Sequence, residues 1–343
     1  MGQSPESSTY NKCREGIPFF QGNADFGDRH PLERLWCSKP KKIAYEGDIL
    51  ISVRAPIGAL NVADQRCCIG RGLASLHPSE HLDRDYLYYF LFSKEEYLKS
   101  KGTGSTFKAI SKKQLEDLLI PLPSILEQKK RSNILNKLWS NTIRRREQLR
   151  KLDELVKCRF VEMFGDPVLN PLSWVKNSLG KLGSLGRGVS KHRPRNAAIL
   201  LNGSHPLIQT GDVAASNIYI EKYLSTYSDY GLQQSKKWPE NTLCITIAAN
   251  IAKTAILKFD SCFPDSVVGF ISGKKTHQIF IHVWFSFFQS ILEAQAPQSA
   301  QKNLNLKALK RLQVITPPIH LQNKFASFVQ QLDKSRFAID IMR

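Results

Sequence analysis

The chain has 343 residues, of which 42% are hydrophobic, and this length allows two domains that each bury a core. Its 49 Lys and Arg outnumber 30 Asp and Glu, and the net charge of +19 favours a polyanionic partner, nucleic acid before anionic lipid. Residues 279–292 are too short and too polar to span a membrane, and the 7 cysteines form no CxxC pair, so a cytoplasmic protein with reduced thiols and no membrane partner is expected.

An internal repeat organises the chain. Shifting the sequence by 194 residues aligns residues 47–76 with 241–270 and residues 110–138 with 304–332, without a gap in either window. The second window contains the phrase IPLPSILEQKK, which returns as VITPPIHLQNK. Two windows at one offset indicate a tandem duplication.

Both copies are predicted to contain the same elements in the same order. Runs of Ile, Val, Leu and Cys between Gly, Pro, Asn and Asp are typical of strands, and they precede an aromatic-rich helix and a Gly/Ser/Gln loop. In the first copy the strand, helix and loop are residues 49–53, 86–92 and 102–108. In the second copy they are residues 243–248, 282–288 and 296–302.

Each copy ends in a long helix. Pro123 and Ser124 open the first one, and Glu127 completes a capping box. No Pro or Gly follows until after Phe164, so about 40 residues at ~1.5 Å each predict a rod of roughly 60 Å. Residues spaced alternately 3 and 4 apart predict a coiled-coil seam with two polar members, formed by Leu135, Leu138, Thr142, Arg145, Leu149, Leu152 and Val156. The arrangement indicates two basic modules held apart by antiparallel helices.

Catalytic motifs are not found in the sequence. GFISGKKT (269–276) differs from a phosphate-binding loop in spacing and is predicted to be a turn at a strand end. The histidines form no zinc pattern, and NPLS (170–173) lacks the second Pro and the aromatic residue of an amino-methyltransferase loop. Pro264 and Asp265 are not followed by the acidic-x-Lys string of a nuclease. The chain is therefore expected to have no catalytic activity of its own.

Several strings resemble the specificity subunit of type I restriction-modification enzymes. The resemblance covers nearly the whole chain, and the order of the strings is more specific than any one of them. They are GDILISVRAPIG, CCIGRGLASLHP, GTGSTFKAISKKQL and IPLPSILEQ in the first copy, LVKCRFVEMFGDP at the junction, and RGVSKHRPRN, PLIQTGDV, YGLQQSKKWP and ITIAANIAKTAIL in the second copy.

This resemblance implies an α+β fold with two tandem target-recognition domains separated by long antiparallel coiled-coil helices in a pseudo-two-fold repeat. Compared with two complete copies, both ends of the chain are expected to be shortened. The expected parts are a first recognition domain (1–122), a spacer helix (123–164), a linker (165–173), a second recognition domain (174–316) and a second spacer helix (317–343).

The resemblance also implies partners. The expected partners are double-stranded DNA, two modification (methyltransferase) subunits and restriction subunits. No cofactor is expected on this chain, because S-adenosylmethionine, ATP and Mg²⁺ would act in the partner subunits. The chain would direct the methylation of adenine at a split DNA sequence. The helices would set the length of the DNA spacer between the two recognised halves.

Candidate DNA contacts are basic and polar residues in loops. Arg can bind guanine bidentately, and polar side chains or backbone amides can reach base edges and phosphates. The competing interpretation is a solvated basic loop. The candidates are Arg54, Arg66, Arg71, Thr103, Ser105, Thr106 and Lys108 in the first copy, and Arg187, Lys191, His192, Arg193, Arg195, Gln209, Thr210, Lys236 and Lys237 in the second.

Two alternative functions remain open at this point. The chain could be the recognition part of a single-chain methylating restriction enzyme, in which case a methyltransferase motif would be encoded in frame upstream. It could also be a non-specific basic scaffold for nucleic acid, in which case its binding would not depend on DNA sequence.

Overall fold

The structure is a computed structural model that describes residues 1–103, 108–248, 251–295 and 305–341. The chain divides into a first unit, Met1–Arg144, and a second unit, Arg145–Arg343, with the boundary inside the long helix. Both units combine sheets and helices, so the predicted α+β class is confirmed. The domain boundaries drawn from the sequence remain predictions.

The first unit is built from short strands and helices. The elements are β1 (Tyr10–Asn11), β2 (Ile17–Phe20), β3 (Trp36–Cys37), β4 (Ile43–Ala44), β5 (Ile49–Ser52), β6 (Leu60–Val62), β7 (Cys67–Ile69), β8 (Leu73–Leu76), α1 (Arg84–Ser93), α2 (Glu95–Lys101) and α3 (Lys112–Glu116). In one sheet the strand order is β1–β3–β2–β7–β4, and in the other it is β6–β5–β8. Strand β5 is buried along its whole length, as expected for its run of Ile and Leu.

The predicted long helix is confirmed as α4, Ile125–Phe164, with 40 residues. Ser124 caps it, because its Oγ accepts a hydrogen bond from the Glu127 backbone N–H at 3.4 Å. In the first unit the seam residues Leu135 and Leu138 are 39% and 59% exposed. This part of the predicted seam therefore faces solvent within the first unit.

The second unit also combines strands and helices. Its elements are β9 (Lys176–Ser178), α5 (Leu179–Leu182), β10 (Gly183–Arg187), β11 (Leu201–Leu207), α6 (Thr210–Ala215), β12 (Tyr219–Ile220), β13 (Ser225–Tyr227), α7 (Asp229–Gln233), β14 (Lys237–Trp238), β15 (Leu243–Thr246), β16 (Thr254–Leu257), β17 (Ser261–Cys262), β18 (Val267–Ser272), α8 (Gln278–Gln295), α9 (Leu306–Arg311), β19 (Gln313–Ile315) and α10 (Ile319–Ile341). They form a sheet of order β10–β18–β15–β16–β12, a sheet of order β13–β11–β17–β14, and the pair β19–β9. The Gly/Ser/Gln loop predicted at 296–302 lies outside the described residues.

The two units repeat the same strand pairings at the offset found in the sequence. In the first unit, β5 pairs antiparallel with β6 and β8, and in the second unit β15 pairs in the same way with β16 and β18. The equivalent pairs are Ile49 with Val62 and Leu76, and Leu243 with Ile256 and Phe270. The tandem duplication is therefore a duplication of structure.

The repeated phrase at the start of each long helix has a structural cause. Gln128 is 1% exposed, and its side chain bonds to the Asp83 N–H and to the His81 and Pro123 carbonyls. Gln322 is 0% exposed and makes the equivalent bonds to the His277 N–H and to the Lys275 and Pro317 carbonyls. Each buried glutamine thus joins the first turn of the long helix to the loop before the aromatic-rich helix.

The second unit contains the antiparallel helix pair that the sequence predicted. Asp153 on α4 is paired with Arg336 on α10, while Phe160 further along α4 contacts Phe325 earlier in α10. Because the contacts run in opposite chain order, the two helices are antiparallel. Both helices pack on α8 through a cluster of phenylalanines.

Candidate nucleic-acid interface

The basic loop of the second unit follows β10 and is held against the loop between β17 and β18. Arg187 Nε donates to the Asp265 carbonyl at 2.9 Å, and Arg195 Nη2 donates to both Asp265 carboxylate oxygens at 2.7 and 3.0 Å. The Arg195 side chain nevertheless remains 47% exposed. Since a guanidinium has five N–H donors, Arg195 can hold Asp265 and still bind a phosphate or a guanine.

Gln234 connects this loop to the polar segment before β14. Its Oε1 accepts hydrogen bonds from the backbone N–H groups of Lys191 at 2.7 Å and His192 at 3.0 Å. Ser235 Oγ donates to the Val189 carbonyl at 2.8 Å. Two segments that are about 40 residues apart in sequence therefore form one surface.

Replacing Gln234 with alanine is expected to loosen the basic loop. The change removes two hydrogen bonds, one from exposed Lys191 and one from half-buried His192, so the free energy of unfolding should fall by about 1 kcal/mol. Hydrogen exchange of the Lys191 and His192 amides checks this, since their protection should fall. The neighbouring exposed Gln233, replaced with alanine, is the matched control. Equal exchange in the two variants would contradict the clamping role of Gln234.

The remaining cations of this surface are also positioned by contacts within the unit. Arg193 Nη1 donates to the carbonyls of Ser190 at 2.7 Å and His192 at 2.8 Å. The Lys236 ammonium lies 3.8 Å from the centre of the Trp238 ring. Lys237 pairs with Asp260 at 3.7 Å, and Lys236 and Lys237 are both exposed. The protein thus orders these long side chains before any ligand binds.

Gln209 and Thr210 lie on the same side of the unit as the basic loop. They line a cavity of about 310 Å³ together with Ser190 and Arg195. Ser190 is 6% exposed, and its Oγ has no hydrogen-bond partner among the residues that the structure describes. The predicted contacts of the second copy therefore meet in one place, although they come from three separate stretches of sequence.

In the first unit, Arg54, Thr103 and Lys108 are brought together. Arg54 and Thr103 both form isolated antiparallel bridges with Ala109, which follows Lys108. All three predicted side chains belong to exposed residues. Ser105 and Thr106 lie outside the described residues. This corner of the first unit is a second candidate surface.

Arg71 joins this surface and Arg66 does not. The Val53 N–H donates to the Gly72 carbonyl at 2.9 Å, which places Arg71 beside Arg54. Arg66 precedes β7 and Arg71 follows it, so a three-residue strand of about 10 Å separates them. Arg66 is exposed but stands at the opposite end of the strand.

Sequence reasoning missed two residues of these surfaces. Asp265 was examined only as a possible start of a nuclease metal site, whereas it holds Arg187 and Arg195. Gln21 was not considered, although the string Pro-x-x-Gln occurs at residues 18–21 and again at 206–209. That second repeat lies at an offset of 188, because insertions separate it from the window aligned at 194.

Cys67 and Cys68 pack inside strand β7. Both are 0% exposed in β7. Burial raises the pKa of Cys67 to about 12 and that of Cys68 to about 11, so the thiols stay protonated at neutral pH. Within the residues that the structure describes, no group of three His, Cys, Asp or Glu side chains could hold a metal ion. Across the same described ranges, no helix is both long and apolar enough to cross a membrane.

Comparison with known proteins adds independent information. The model of a family described as "Type I restriction modification DNA specificity domain" matches residues 15–154 and again residues 171–340. The two matches correspond to the two copies found in the sequence and in the structure.

Individual relatives agree with the family match. The chain is 24% identical over 335 residues to the type I restriction enzyme MjaIX specificity subunit of Methanocaldococcus jannaschii, covering 89% of this chain and 75% of the relative. It is 45% identical over 155 residues to the putative MjaX specificity subunit of the same organism, covering 44% of this chain but 36% of that relative's length. The solved S subunit from M. genitalium matches with a TM-score of 0.61 and 17% identity, covering 99% of this chain and 88% of that one, which shows the fold.

Proposed function

This chain belongs to the type I restriction-modification DNA specificity family, and on that premise we propose that it directs a type I methyltransferase and restriction complex to a split DNA sequence. The family resemblance predicted from the sequence is thereby confirmed. The chain itself would have no catalytic role and would bind double-stranded DNA, with each unit reading one half of the target.

One observation carries this proposal. The family domain occurs twice, and each occurrence coincides with a structural copy that presents an exposed basic and polar surface. Two similar DNA-binding surfaces in one chain suit a DNA target with two separated halves. The net charge of +19 supports binding to the phosphate backbone.

The partners follow from the same premise. The relatives are named as specificity subunits of type I restriction enzymes, so modification and restriction subunits are the proposed partners of this chain. Two modification subunits would bind S-adenosylmethionine and methylate adenine, and the restriction subunits would use ATP and Mg²⁺ for cleavage. The long helices would set the spacer between the half-sites.

Single-molecule sequencing of N6-methyladenine in the host genome tests the proposal. With the gene intact, one split motif should be methylated, and deletion of the gene should abolish methylation of that motif alone. Complementation with the intact gene should restore it. A set of methylated motifs that is the same with and without the gene would contradict the proposal, and DNA binding that does not depend on sequence would favour the scaffold alternative.

A further inference from the structure

A glutamine occupies the same position in both units. In the first unit β2 pairs parallel with β7, and Phe19 faces Cys68. In the second unit β11 pairs parallel with β17, and Leu207 faces Cys262. Gln21 follows Phe19 by two residues, and Gln209 follows Leu207 by two residues. The parallel pairing therefore makes Gln21 and Gln209 equivalent.

The backbone of each glutamine is held in the same way. The Gln21 N–H donates to Asp25 Oδ2 at 2.7 Å, and the Gln209 N–H donates to Asp212 Oδ2 at 2.7 Å. The aspartate stands four residues later in the first unit and three residues later in the second. Both glutamines are nevertheless exposed. Each aspartate is the third residue of a short helix and caps its first turn, so the bond fixes the backbone at the glutamine and leaves the side chain exposed.

An arginine residue lies near each glutamine. In the first unit Arg71 stands between Gly70 and Gly72. Gly72 packs so closely against Gln21 that a Cβ added to it would come within 2.5 Å of the Gln21 carbonyl oxygen. In the second unit the position equivalent to Arg71 is Asp265, at the offset of 194, and Asp265 holds Arg195. Arg195 lines the same cavity as Gln209. Each glutamine thus has an arginine nearby, although the two arginines come from different parts of the repeat.

We infer that Gln21 and Gln209 are specificity-determining residues, each reading one adenine in its own half of the split target. The inference rests on the proposed function. A glutamine amide offers one donor group and one acceptor that match N6 and N7 of adenine in the major groove. The neighbouring Arg71 or Arg195 would bind a phosphate or an adjacent guanine and set the register.

Methylation motifs of strains that carry single substitutions in the full chain test this inference. Gln21→Ala should relax one A·T position in one half-site, and Gln209→Ala should relax one A·T position in the other. With purified complex, the preference for the correct base at that position should fall about ten-fold. Gln148→Ala, at an exposed glutamine of α4, should leave the motif unchanged.

The conservative variants Gln21→Glu and Gln209→Glu keep the side-chain volume and replace the amide donor with an acceptor. They should move the preference at the same position towards C·G, because a carboxylate accepts from N4 of cytosine. The inference is overturned if the alanine and glutamate variants keep the original motif, or if both positions alter the same half-site. In those cases the motif still depends on the gene and the proposed function stands, whereas a motif indifferent to gene deletion would overturn the proposed function.

Discussion

Replacing Phe160 with alanine is expected to lower the free energy of unfolding of the second unit by about 4 kcal/mol. Phe160 is 0% exposed, and its ring centre lies 5.1 Å from that of Phe164 and 5.2 Å from that of Phe280. It also contacts Phe287 and Phe325, at 5.2 and 5.5 Å. The truncation leaves a cavity where helices α4, α8 and α10 meet, and the surrounding rings cannot all close into it.

Urea unfolding of the full chain, followed by tryptophan fluorescence, measures this loss. Trp284 lies in the same hydrophobic cluster as Phe160 and reports on its packing. The matched control is Val161→Ala on the next position of α4, where the side chain is 41% exposed and the expected change is about 0.5 kcal/mol or less. A similar loss in both variants would contradict the central role of the phenylalanine cluster.

The second large effect concerns His282 on α8 and the dependence of stability on pH. Burial of the ring lowers the pKa of His282 to about 4, and Nδ1 lies 2.9 Å from Thr254 Oγ1. The ring also lines a cavity of about 300 Å³. Charged residues line that cavity, and they are Asp153, Lys157, Lys253 and Arg336. The hydrogen bond with Thr254 acts in the opposite direction and offsets part of this lowering.

The sign of the pH effect follows from these values. In the unfolded chain the pKa of His282 returns to its ordinary value of 6.5, so between pH 6.5 and 4 the unfolded state binds a proton that the folded state does not. The stability that neutral His282 contributes is therefore fully present above pH 6.5 and is lost as the pH falls towards 4. Between pH 7.5 and 5.0 the loss should reach about 2 kcal/mol from this group.

The variant His282→Gln removes the titrating group and should flatten stability against pH over that window, whatever its effect on stability at pH 7.5. Burial also lowers the pKa of His277, so part of the pH dependence will remain. The exposed His320 provides the control, since His320→Gln should keep the slope of the original chain. Urea midpoints between pH 5.0 and 7.5 give the comparison, and a slope unchanged in His282→Gln would exclude the buried imidazole as its cause.

Local sequence determined the duplication, the strand and helix order and the family. Apolar residues at constant spacing decide which face of a strand is buried, so the offset of 194 carried over into identical strand pairings. The absence of Pro and Gly between Ser124 and Phe164 likewise determined the long helix, because helix formation depends on neighbours in sequence. The repeated phrase in the sequence likewise contains Gln128 and Gln322, which make equivalent buried hydrogen bonds.

The candidate site was predicted only as separate pieces. The segments around Arg187, Gln209 and Lys236 were each proposed from composition, but no local pattern showed that they share a surface. Asp265 meets Arg195 across 70 positions of sequence, and Gln234 meets Lys191 across 43. Such contacts depend on how the sheets bring distant loops together.

The equivalence of Gln21 and Gln209 was also decided by tertiary structure. Their offset of 188 differs from the 194 of the aligned window, so a search without gaps does not pair them. The parallel pairing of Phe19 with Cys68 and of Leu207 with Cys262 makes the correspondence plain. Sequence spacing changes with every loop insertion, whereas the hydrogen-bond register of a sheet is held by its buried face and keeps equivalent residues in place.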